Sequence, residues 1–456
     1  MSFVARIGIL DVIMHDEKRF FLETTPGKLF LKASIPGAIG MMASNIYFSV
    51  EMLLVGRLCG SEAFAAGNLA LPLVYINFAL ADMVSVGSSV KIAIRLGEGK
   101  KDEANRLFTT AILTAIVLST LSSILLVILS PMLFHLMGAG EHLLDDAMAY
   151  LVVYAIFCPI TSLAFVFDNF LKISGKVRFS MFANIAMSVM SLLFDIIFLY
   201  VLDKGIGFAA LGTSLGMALT VLFSALPFFS GKLTLRFTKV RLSLKPLKDI
   251  FAQGVPNFLN NISTKLTSVI MNSLLLRLGG EMAVSVYGVF MNLDGVIVPG
   301  MYGVFDSLQP AIGYNWGAGR KERVRRIAFY STLAIALMCI AFSIVLKLFP
   351  TEIFSLFLDG SGEIIKMAEI GISILALTYV TRWIGYACQS FSSAIGENRI
   401  ATLISFLSAL FFPVLSIFLL RPFELDGLWF VLPLAALLTA LVSLIVYLGR
   451  LGKLIR

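Results

Sequence analysis

The chain has 456 residues, of which 58% are apolar and only 14% are charged, and its formal net charge at pH 7 is +8. Soluble domains are typically about 45–50% apolar and about 25% charged, so this chain has too few charges to cover a surface that faces water. The composition therefore excludes an ordinary water-soluble domain and indicates an all-α polytopic membrane protein.

Apolar runs long enough to cross a bilayer core of roughly 30 Å recur along the whole sequence. They predict twelve transmembrane helices in chain order, at 30–56, 64–94, 107–134, 147–171, 179–202, 206–230, 250–276, 284–316, 327–349, 367–394, 400–420 and 427–449.

Lysine and arginine are distributed unevenly among the polar segments between these spans. Most of the 36 lie in the N-terminal segment, the even-numbered connections and the C-terminal tail. Positive-inside bias then places both termini in the cytoplasm. We expect a multi-pass protein of the bacterial inner (plasma) membrane, whose basic residues attract anionic membrane lipid and which has no nucleic-acid partner.

One phrase occurs twice in the chain. The segment Gly-Glu-Gly-Lys-Lys at 97–101 follows the second span, and Gly-Ala-Gly-Arg-Lys at 317–321 follows the eighth, 220 residues later. A phosphate-binding loop is excluded, because no lysine of either segment is followed by the serine or threonine that would hold magnesium. Pro36 and Pro256 repeat at the same interval, which predicts a duplicated six-helix unit.

Six is an even number, so both copies enter the membrane in the same direction. Parallel repeats of this kind are related by an axis along the membrane normal and enclose a central cleft. The predicted division is a cytoplasmic N-terminal segment at 1–29, an N-lobe at 30–230, a cytoplasmic linker at 231–249, a C-lobe at 250–449 and a cytoplasmic tail at 450–456.

At this level of detail the chain resembles the multidrug and toxic compound extrusion (MATE) family. The resemblance rests on VEMLLVGRLCG ending the first span, GEGKKDEA after the second, FLKISGKVRFSM after the fourth and LQPAIGYNWGAGRKERV after the eighth. It covers almost the whole sequence. It implies a secondary active exporter, which moves amphipathic organic solutes or drugs against a proton or sodium ion by alternating access between two lobes. We expect a monomer that needs no cofactor besides the coupling ion.

Carboxylates within predicted spans need a physical reason, since a charge at the bilayer centre costs at least about 2.5–3.5 kcal/mol. In the first half, Glu51, Asp168 and Asp195 each share one helical face with other polar residues. These faces carry no basic residue, and burial favours the protonated form of a carboxyl group. A proton or a bound cation is therefore the expected countercharge. The three polar stripes are Ser44, Tyr47 and Glu51; Tyr150, Tyr154, Thr161 and Asp168; and Asn184, Ser188, Ser191 and Asp195.

The family resemblance adds roles to these positions. In the family, the N-lobe cation site uses an acid at the end of the first helix, an Asn-x-x-x-Asp pair on the fifth and a threonine on the sixth. The matching residues here, and the candidate ligands of a sodium ion, are Glu51, Ser191, Asp195 and Thr213.

Further positions follow from the same likeness. Asp168 is expected to take part in cation coupling, and Tyr47, Tyr150 and Asn184 are expected to line the substrate cavity. The chain departs from the family where Glu51 replaces the usual Asp, Ser191 an Asn and Asp168 an Asn. Proton and sodium both remain open as the coupling ion.

The second half carries positive charges within its spans. Arg382 and Gln389 share one face of the tenth span, and we assign both to the substrate cavity. Two interpretations are open for Arg382 and Lys265: they pair with Asp294 and Asp306 to fix the packing, or they form a cationic wall that selects zwitterionic or anionic substrates.

Two other functional classes fit less well. A lipid-linked oligosaccharide flippase, of a related fold, is the alternative function, but about fourteen helices and a basic cavity are expected of it. An enzyme is not expected, since the sequence has no catalytic triad, metal-ligand cluster or nucleotide loop, and the His142–Asp146 segment matches an acyltransferase motif only loosely.

Overall fold

The computed structural model describes residues 18–137, 140–231, 233–240, 243–357 and 362–452, and it is built of α-helices. The outer parts of the predicted terminal segments, 1–17 and 453–456, lie outside the described residues. The α-helices are α1 (Pro26–Leu58), α2 (Ser61–Gly97), α3 (Lys101–Leu136), α4 (Glu141–Ile173), α5 (Val177–Asp195), α6 (Ile206–Phe229), α7 (Leu244–Asp306), α8 (Gln309–Gly317), α9 (Lys321–Leu348), α10 (Pro350–Ser355), α11 (Gly362–Leu375), α12 (Thr378–Ala394), α13 (Asn398–Phe406), α14 (Phe412–Leu420), α15 (Glu424–Trp429) and α16 (Val431–Val446).

Eleven helical segments of the described chain are long and apolar enough to cross a membrane. One of them, 244–317, has 74 residues and is bent at Gly280, whose φ of 66° and ψ of −164° are not helical. Dividing this segment at Gly280 yields the seventh and eighth predicted spans. The predicted all-α polytopic fold is therefore confirmed.

Two predicted spans are interrupted inside the membrane. The tenth, predicted as one helix over 367–394, is broken at 376–377, between α11 and α12. The carbonyl oxygen of Ala376 at this break accepts two hydrogen bonds, one of 3.2 Å from the amide of Tyr379 and one of 2.8 Å from the buried hydroxyl of Ser343 on α9. The eighth span is likewise interrupted at 307–308, between α7 and α8.

The repeated glycines end helices. Gly99 and Gly319 have φ angles of 79° and 71°, a left-handed conformation that glycine adopts without a steric penalty. In each copy the amide of the following residue donates to a carbonyl five residues back, Lys100 to Arg95 and Arg320 to Asn315, both at 2.9 Å. These bonds are those of a Schellman helix end.

The same two glycine segments, 97–101 and 317–321, bring the two halves together. Gly97 packs against the backbone of Tyr314, and Gly317 packs against the backbone of Ile94, so closely that a β-carbon at either glycine would overlap a carbonyl oxygen. Gly87 on α2 lies equally close to the backbone of α7. The repeated phrase is therefore both a helix end and a contact between the lobes.

These close contacts lie in the half of the molecule that carries the start of α1, which we call the terminal side. Gly37, eleven residues into α1, packs against Gly303 near the end of α7. Gly254, near the start of α7, packs against the backbone of Met83 on α2. The two lobes are therefore tightly joined at the terminal side of the membrane.

A short segment before α1, residues 19–24, crosses this joint; we call it the N-terminal strap. Its backbone carbonyls accept hydrogen bonds from C-lobe side chains: Arg323 donates to Phe21 at 2.9 Å and to Thr24 at 2.7 Å, and Arg320 donates to Leu22 at 2.8 Å. Phe20 packs on Gly175, at the end of α4 in the N-lobe. The strap therefore contacts both lobes.

We predict that Gly97→Ala destabilises the closed terminal side. The added β-carbon meets a backbone carbonyl that cannot rotate away, and overpacking of this kind costs about 1–3 kcal/mol. Thermal unfolding of the purified protein is expected to show a lower Tm. Gly288→Ala is the matched control, because this helical glycine on α7 has no neighbouring atom within 4 Å of the added carbon. Equal Tm values for the two variants would contradict the tight joint.

Candidate functional site

Four helices of the first half bring together a buried polar cluster, which we call the N-lobe acid site. α1 packs on α5, α5 on α6, and α4 on α6. Apart from Tyr47 and Tyr154, at 4% and 3% exposure, its side chains are fully enclosed. Its members are Tyr47 and Glu51 from α1, Tyr150 and Tyr154 from α4, Ser191 and Asp195 from α5, and Thr213 from α6.

Tyr47 links three helices at the centre of this site. Its hydroxyl donates to Oδ2 of Asp195 at 2.8 Å and lies 2.5 Å from the hydroxyl of Thr213. Because Tyr47 comes from α1, Asp195 from α5 and Thr213 from α6, one phenol fixes the position of the carboxylate between the helices.

Glu51, one turn further along α1, is held by two other phenols. Tyr150 and Tyr154 donate to the same oxygen, Oε1, at 3.2 and 3.3 Å. Glu51 and Asp195 are close enough for their charges to interact. Tyr154 shares a helical face with Tyr150 but was not predicted as a site residue, although the interval of four residues contained that signal.

Three oxygen atoms of the site are buried without a hydrogen-bond partner among the described residues. They are Oε2 of Glu51, Oδ1 of Asp195 and the hydroxyl of Ser191. An unsatisfied buried acceptor is rare in folded proteins and calls for an explanation such as an ion. Carboxylate and hydroxyl oxygens are also the ligands that hard cations prefer.

Small residues on α6 make room for these free oxygens. Gly212 lies against Oδ1 of Asp195, and Gly216 lies against the hydroxyl of Ser191, so that a β-carbon at either position would overlap the oxygen. Two glycines one helical turn apart therefore let α5 and α6 approach while their polar groups remain between them.

No salt bridge neutralises Glu51 or Asp195 within the described part of the chain. The structure thus joins the predicted ligands Asp195 and Thr213 through Tyr47. It holds Glu51 beside them through Tyr150 and Tyr154, and Ser191 lies one turn from Asp195. A proton on a carboxyl group fits these residues, and so does a small hard cation.

Asp168 is placed differently from the expectation. Its Oδ2 lies 2.7 Å from the ammonium of Lys172, whose side chain is only 2% exposed, and Ser180 and Asn184 donate to its Oδ1 at 2.5 and 2.8 Å. The expectation that this carboxylate has no basic partner was wrong. Lys172 follows Asp168 by four residues, the usual spacing for a helical ion pair, and was assigned only to the cytoplasmic connection. Asn184 thus bonds the Asp168 pair and not Asp195.

The structure shows the partners of Arg382 and Lys265, the two cationic side chains within the spans of the second half. Arg382 forms an ion pair with Asp294, 2.7 Å between Nη1 and Oδ1, as the packing interpretation expected. Lys265 instead lies over the ring of Tyr75 in the N-lobe, 4.7 Å from its centre. Asp306 accepts hydrogen bonds from Tyr386 at 2.7 Å and from Gln309 at 2.8 Å, so the suggested pairing of Lys265 with Asp306 is absent from the described residues.

A polar contact joins α2 of the first half to α7 of the second half. Asn261 on α7 donates to Asp82 on α2 at 3.3 Å. Gln389, assigned to the substrate cavity, donates to Asn257 on α7 at 3.3 Å. The sequence pattern did not mark Asn257 and Asn261 as contact residues, because an amide can bond many kinds of partner and its spacing alone does not identify one.

We predict that Tyr47→Phe destabilises the N-lobe. Removal of the hydroxyl leaves Oδ2 of Asp195 buried without its donor, a loss of about 1–3 kcal/mol that is expected to lower Tm. Tyr200→Phe is the control, because Tyr200 is 72% exposed. If the two variants unfold at the same temperature, Tyr47 does not hold the carboxylate.

Comparison with known proteins identifies relatives of this chain. The chain is 26% identical to the multidrug export protein MepA of Staphylococcus saprophyticus, over 96% of the chain and 97% of that protein, and 27% identical to MepA of Staphylococcus aureus, with the same coverage.

Solved structures share the fold. A multidrug resistance MATE family transporter in an outward-facing conformation has a TM-score of 0.87 and 24% identity, over 97% of this chain and 98% of that one. A MATE crystal structure in the straight conformation has a TM-score of 0.87 and 23% identity, over 98% of both chains.

The sequence model of the MatE family matches residues 36–197 and 256–418, more than half of the chain. The two matched segments begin 220 residues apart, the interval at which the glycine phrases repeat. A transporter family agrees with the expectation that the chain is not an enzyme. The chain belongs to the MatE family, the multidrug and toxic compound extrusion family that its motifs resemble.

Proposed function

We propose that this protein is a secondary active exporter that exchanges a proton or a sodium ion for an organic solute. The observation that carries the proposal is the N-lobe acid site, in which Glu51 and Asp195 are buried, lack a basic partner among the described residues and keep free oxygens. A carboxyl group in such surroundings is stable when it binds a proton or a cation and unstable when it is bare. Loading and unloading of this site therefore changes the free energy of the enclosing lobe.

Polar side chains inside the membrane spans suggest where the solute passes. Asn45 on α1 and Asn261, Lys265 and Asn292 on α7 are all exposed, although each lies within a membrane-spanning helix. Exposed polar groups at this depth are tolerated where they line a water-filled cleft. The similar proteins named multidrug export proteins support amphipathic organic solutes or drugs as the cargo.

The proposed cycle follows from the packing of the lobes. We assign the N-lobe to 30–230, the linker to 231–249 and the C-lobe to 250–449. The terminal side is closed by glycine contacts and by the strap, so the opening for the solute lies toward the other side in this state. With the basic residues and termini in the cytoplasm of a bacterial cell, this state is the one open to the outside. The protein acts as a monomer in this scheme.

The oligosaccharide flippase is not proposed, since the MatE match extends over both halves of the chain. The coupling ion is a proton or a sodium ion, since the free oxygens suit either. Asp168 is not needed for coupling in this scheme, because Lys172 already neutralises it.

We predict that Asp195→Asn abolishes ion-coupled transport. The amide keeps the size of the side chain but holds neither an exchangeable proton nor a cation charge. In proteoliposomes, uptake of the dye ethidium that is driven by an imposed proton or sodium gradient is expected to fall to the level of empty vesicles. Asp145→Asn is the matched control, because Asp145 is exposed near the start of α4. Full coupling in Asp195→Asn vesicles would remove the N-lobe carboxylate mechanism.

The coupling ion is expected to appear in the chemical reactivity of the same acids. Dicyclohexylcarbodiimide modifies protonated carboxyl groups in apolar surroundings, so modification of Glu51 or Asp195, measured by mass spectrometry of peptides, is expected to fall as pH rises. A sodium-coupled site is expected to lose reactivity on addition of sodium chloride at fixed pH, whereas potassium chloride leaves it unchanged. A proton-coupled site responds to neither salt. Reactivity that is independent of both pH and salt would contradict an exchangeable cation.

A further inference from the structure

The C-lobe contains a cavity of about 120 Å³ that the coupling mechanism does not use. One water molecule needs only about 10–15 Å³ on this measure, so the cavity admits a group of several heavy atoms. Its wall is formed by helices of the second half alone. Polar and aromatic side chains line it, among them Thr264, Tyr287, Tyr302, Thr378, Arg382 and Gln389.

The guanidinium of Arg382 keeps most of its hydrogen-bonding capacity. Arginine has five N–H donors, and the ion pair with Asp294 uses Nη1. The Asp294 oxygen that Nη1 contacts is also bonded by the hydroxyl of Tyr379 at 2.6 Å. The Arg382 side chain is 25% exposed, whereas Asp294 is 10% exposed. The cation of the pair is thus the more accessible partner.

The break in the tenth span adds a second source of positive potential. Thr378 begins α12 immediately after the interruption at 376–377, and it lines the cavity. Helix amino termini within a membrane carry partial positive charge and face anionic substrate groups in other transporters. The amides of Tyr379 and Val380 already donate to the carbonyls of Ala376 and Leu377, so the start of α12 adds only a small positive potential to that of the guanidinium one turn later.

Unpartnered polar atoms on the cavity wall point to a ligand. The hydroxyl of Thr378 and Oε1 of Gln389 are buried and have no hydrogen-bond partner in the part of the chain that the structure describes. Their residues are 4% and 2% exposed, and both line the cavity. A hydroxyl can donate to an anion, and an amide oxygen can accept from a polar group beside it.

We propose that this cavity binds the carboxylate end of an amphipathic organic solute, with Arg382 as the principal contact. The proposal rests on the proposed function, since it names a chemical class within the exported solutes. A planar guanidinium matches a carboxylate through two parallel hydrogen bonds, which an ammonium does not provide. Asp294 competes for the same guanidinium, so the resting ion pair holds the site closed to weakly bound anions and yields to a carboxylate that also fills the cavity.

Two dyes of nearly equal shape test the charge. Rhodamine 110 carries a free carboxylate, and rhodamine 123 is its methyl ester. Fluorescence anisotropy measures their binding to the full chain in nanodiscs of phosphatidylcholine, a lipid whose headgroup has no net charge. In Asp294→Asn the competing carboxylate is gone, and Tyr379 still has an oxygen to donate to. Rhodamine 110 is expected to bind several-fold more tightly to this variant, while the Kd of rhodamine 123 is unchanged.

The double variant Arg382→Gln with Asp294→Asn removes both charges and leaves no buried ion unpaired. It is expected to weaken rhodamine 110 binding by about tenfold or more, the loss that follows removal of a charged hydrogen-bond donor. Rhodamine 123 is expected to be unaffected. A fall in Tm of either variant without any change in the ratio of the two Kd values would overturn the proposal and leave the pair as a packing element.

The result is independent of the coupling mechanism. Binding is measured at equilibrium without an ion gradient, and repeating it in Asp195→Asn separates the two sites. Preserved discrimination between the dyes in Asp195→Asn, together with lost gradient-driven uptake, supports both proposals. Equal effects of the C-lobe variants on the two dyes overturn the C-lobe site while the N-lobe mechanism stands.

Discussion

A carboxylate enclosed by membrane helices needs a positive charge close to it. The two lobes differ in what supplies that charge. The cost of leaving such a charge bare is several kilocalories per mole, far more than one hydrogen bond returns. In the N-lobe, Glu51 and Asp195 receive phenolic hydrogen bonds and no basic side chain of the described chain. In the proposed function their countercharge comes from solution, which makes the lobe sensitive to a mobile ion.

The C-lobe meets the same constraint with a side chain of its own. Arg382 neutralises Asp294 at 2.7 Å, and the pair stands beside a cavity in place of an ion site. In the proposed function the N-lobe exchanges a cation, whereas the C-lobe holds a fixed one. The two repeated halves then have distinct tasks although they share a topology.

Much of the fold was predictable because it depends on simple periodicities. Apolar length fixed the spans, and the interval of 220 residues between Gly97 and Gly317 fixed the duplication. The packing of Gly97 on Tyr314 and of Gly317 on Ile94 was not predictable, because the sequence does not tell which helix faces which. The break at 376–377 was missed for a different reason: it contains neither proline nor glycine, and the hydrogen bond that Ser343 adds to the Ala376 carbonyl comes from another helix of the chain.

The candidate site was predicted in part. Helical spacing grouped Glu51 with Tyr47 and Asp195 with Ser191, and the structure unites these groups across three helices. Asp168 was misjudged, since its partner Lys172 was assigned to a cytoplasmic connection although its side chain turns back into the protein. A long flexible side chain near a helix end reaches further than its position in the sequence suggests.

The N-terminal strap has a consequence for the sequence as well as for the structure. Its carbonyl oxygens, and not its side chains, accept the hydrogen bonds of Arg320 and Arg323. Thr24, whose side chain is only partly buried, can therefore be exchanged for many other residues while these hydrogen bonds persist, whereas the two arginines cannot be exchanged and Leu22 packs in the hydrophobic core. When the lobes separate on that side, water must replace the arginine donors at all three carbonyl oxygens. The strap is therefore expected to dissociate from the C-lobe in one step and not residue by residue.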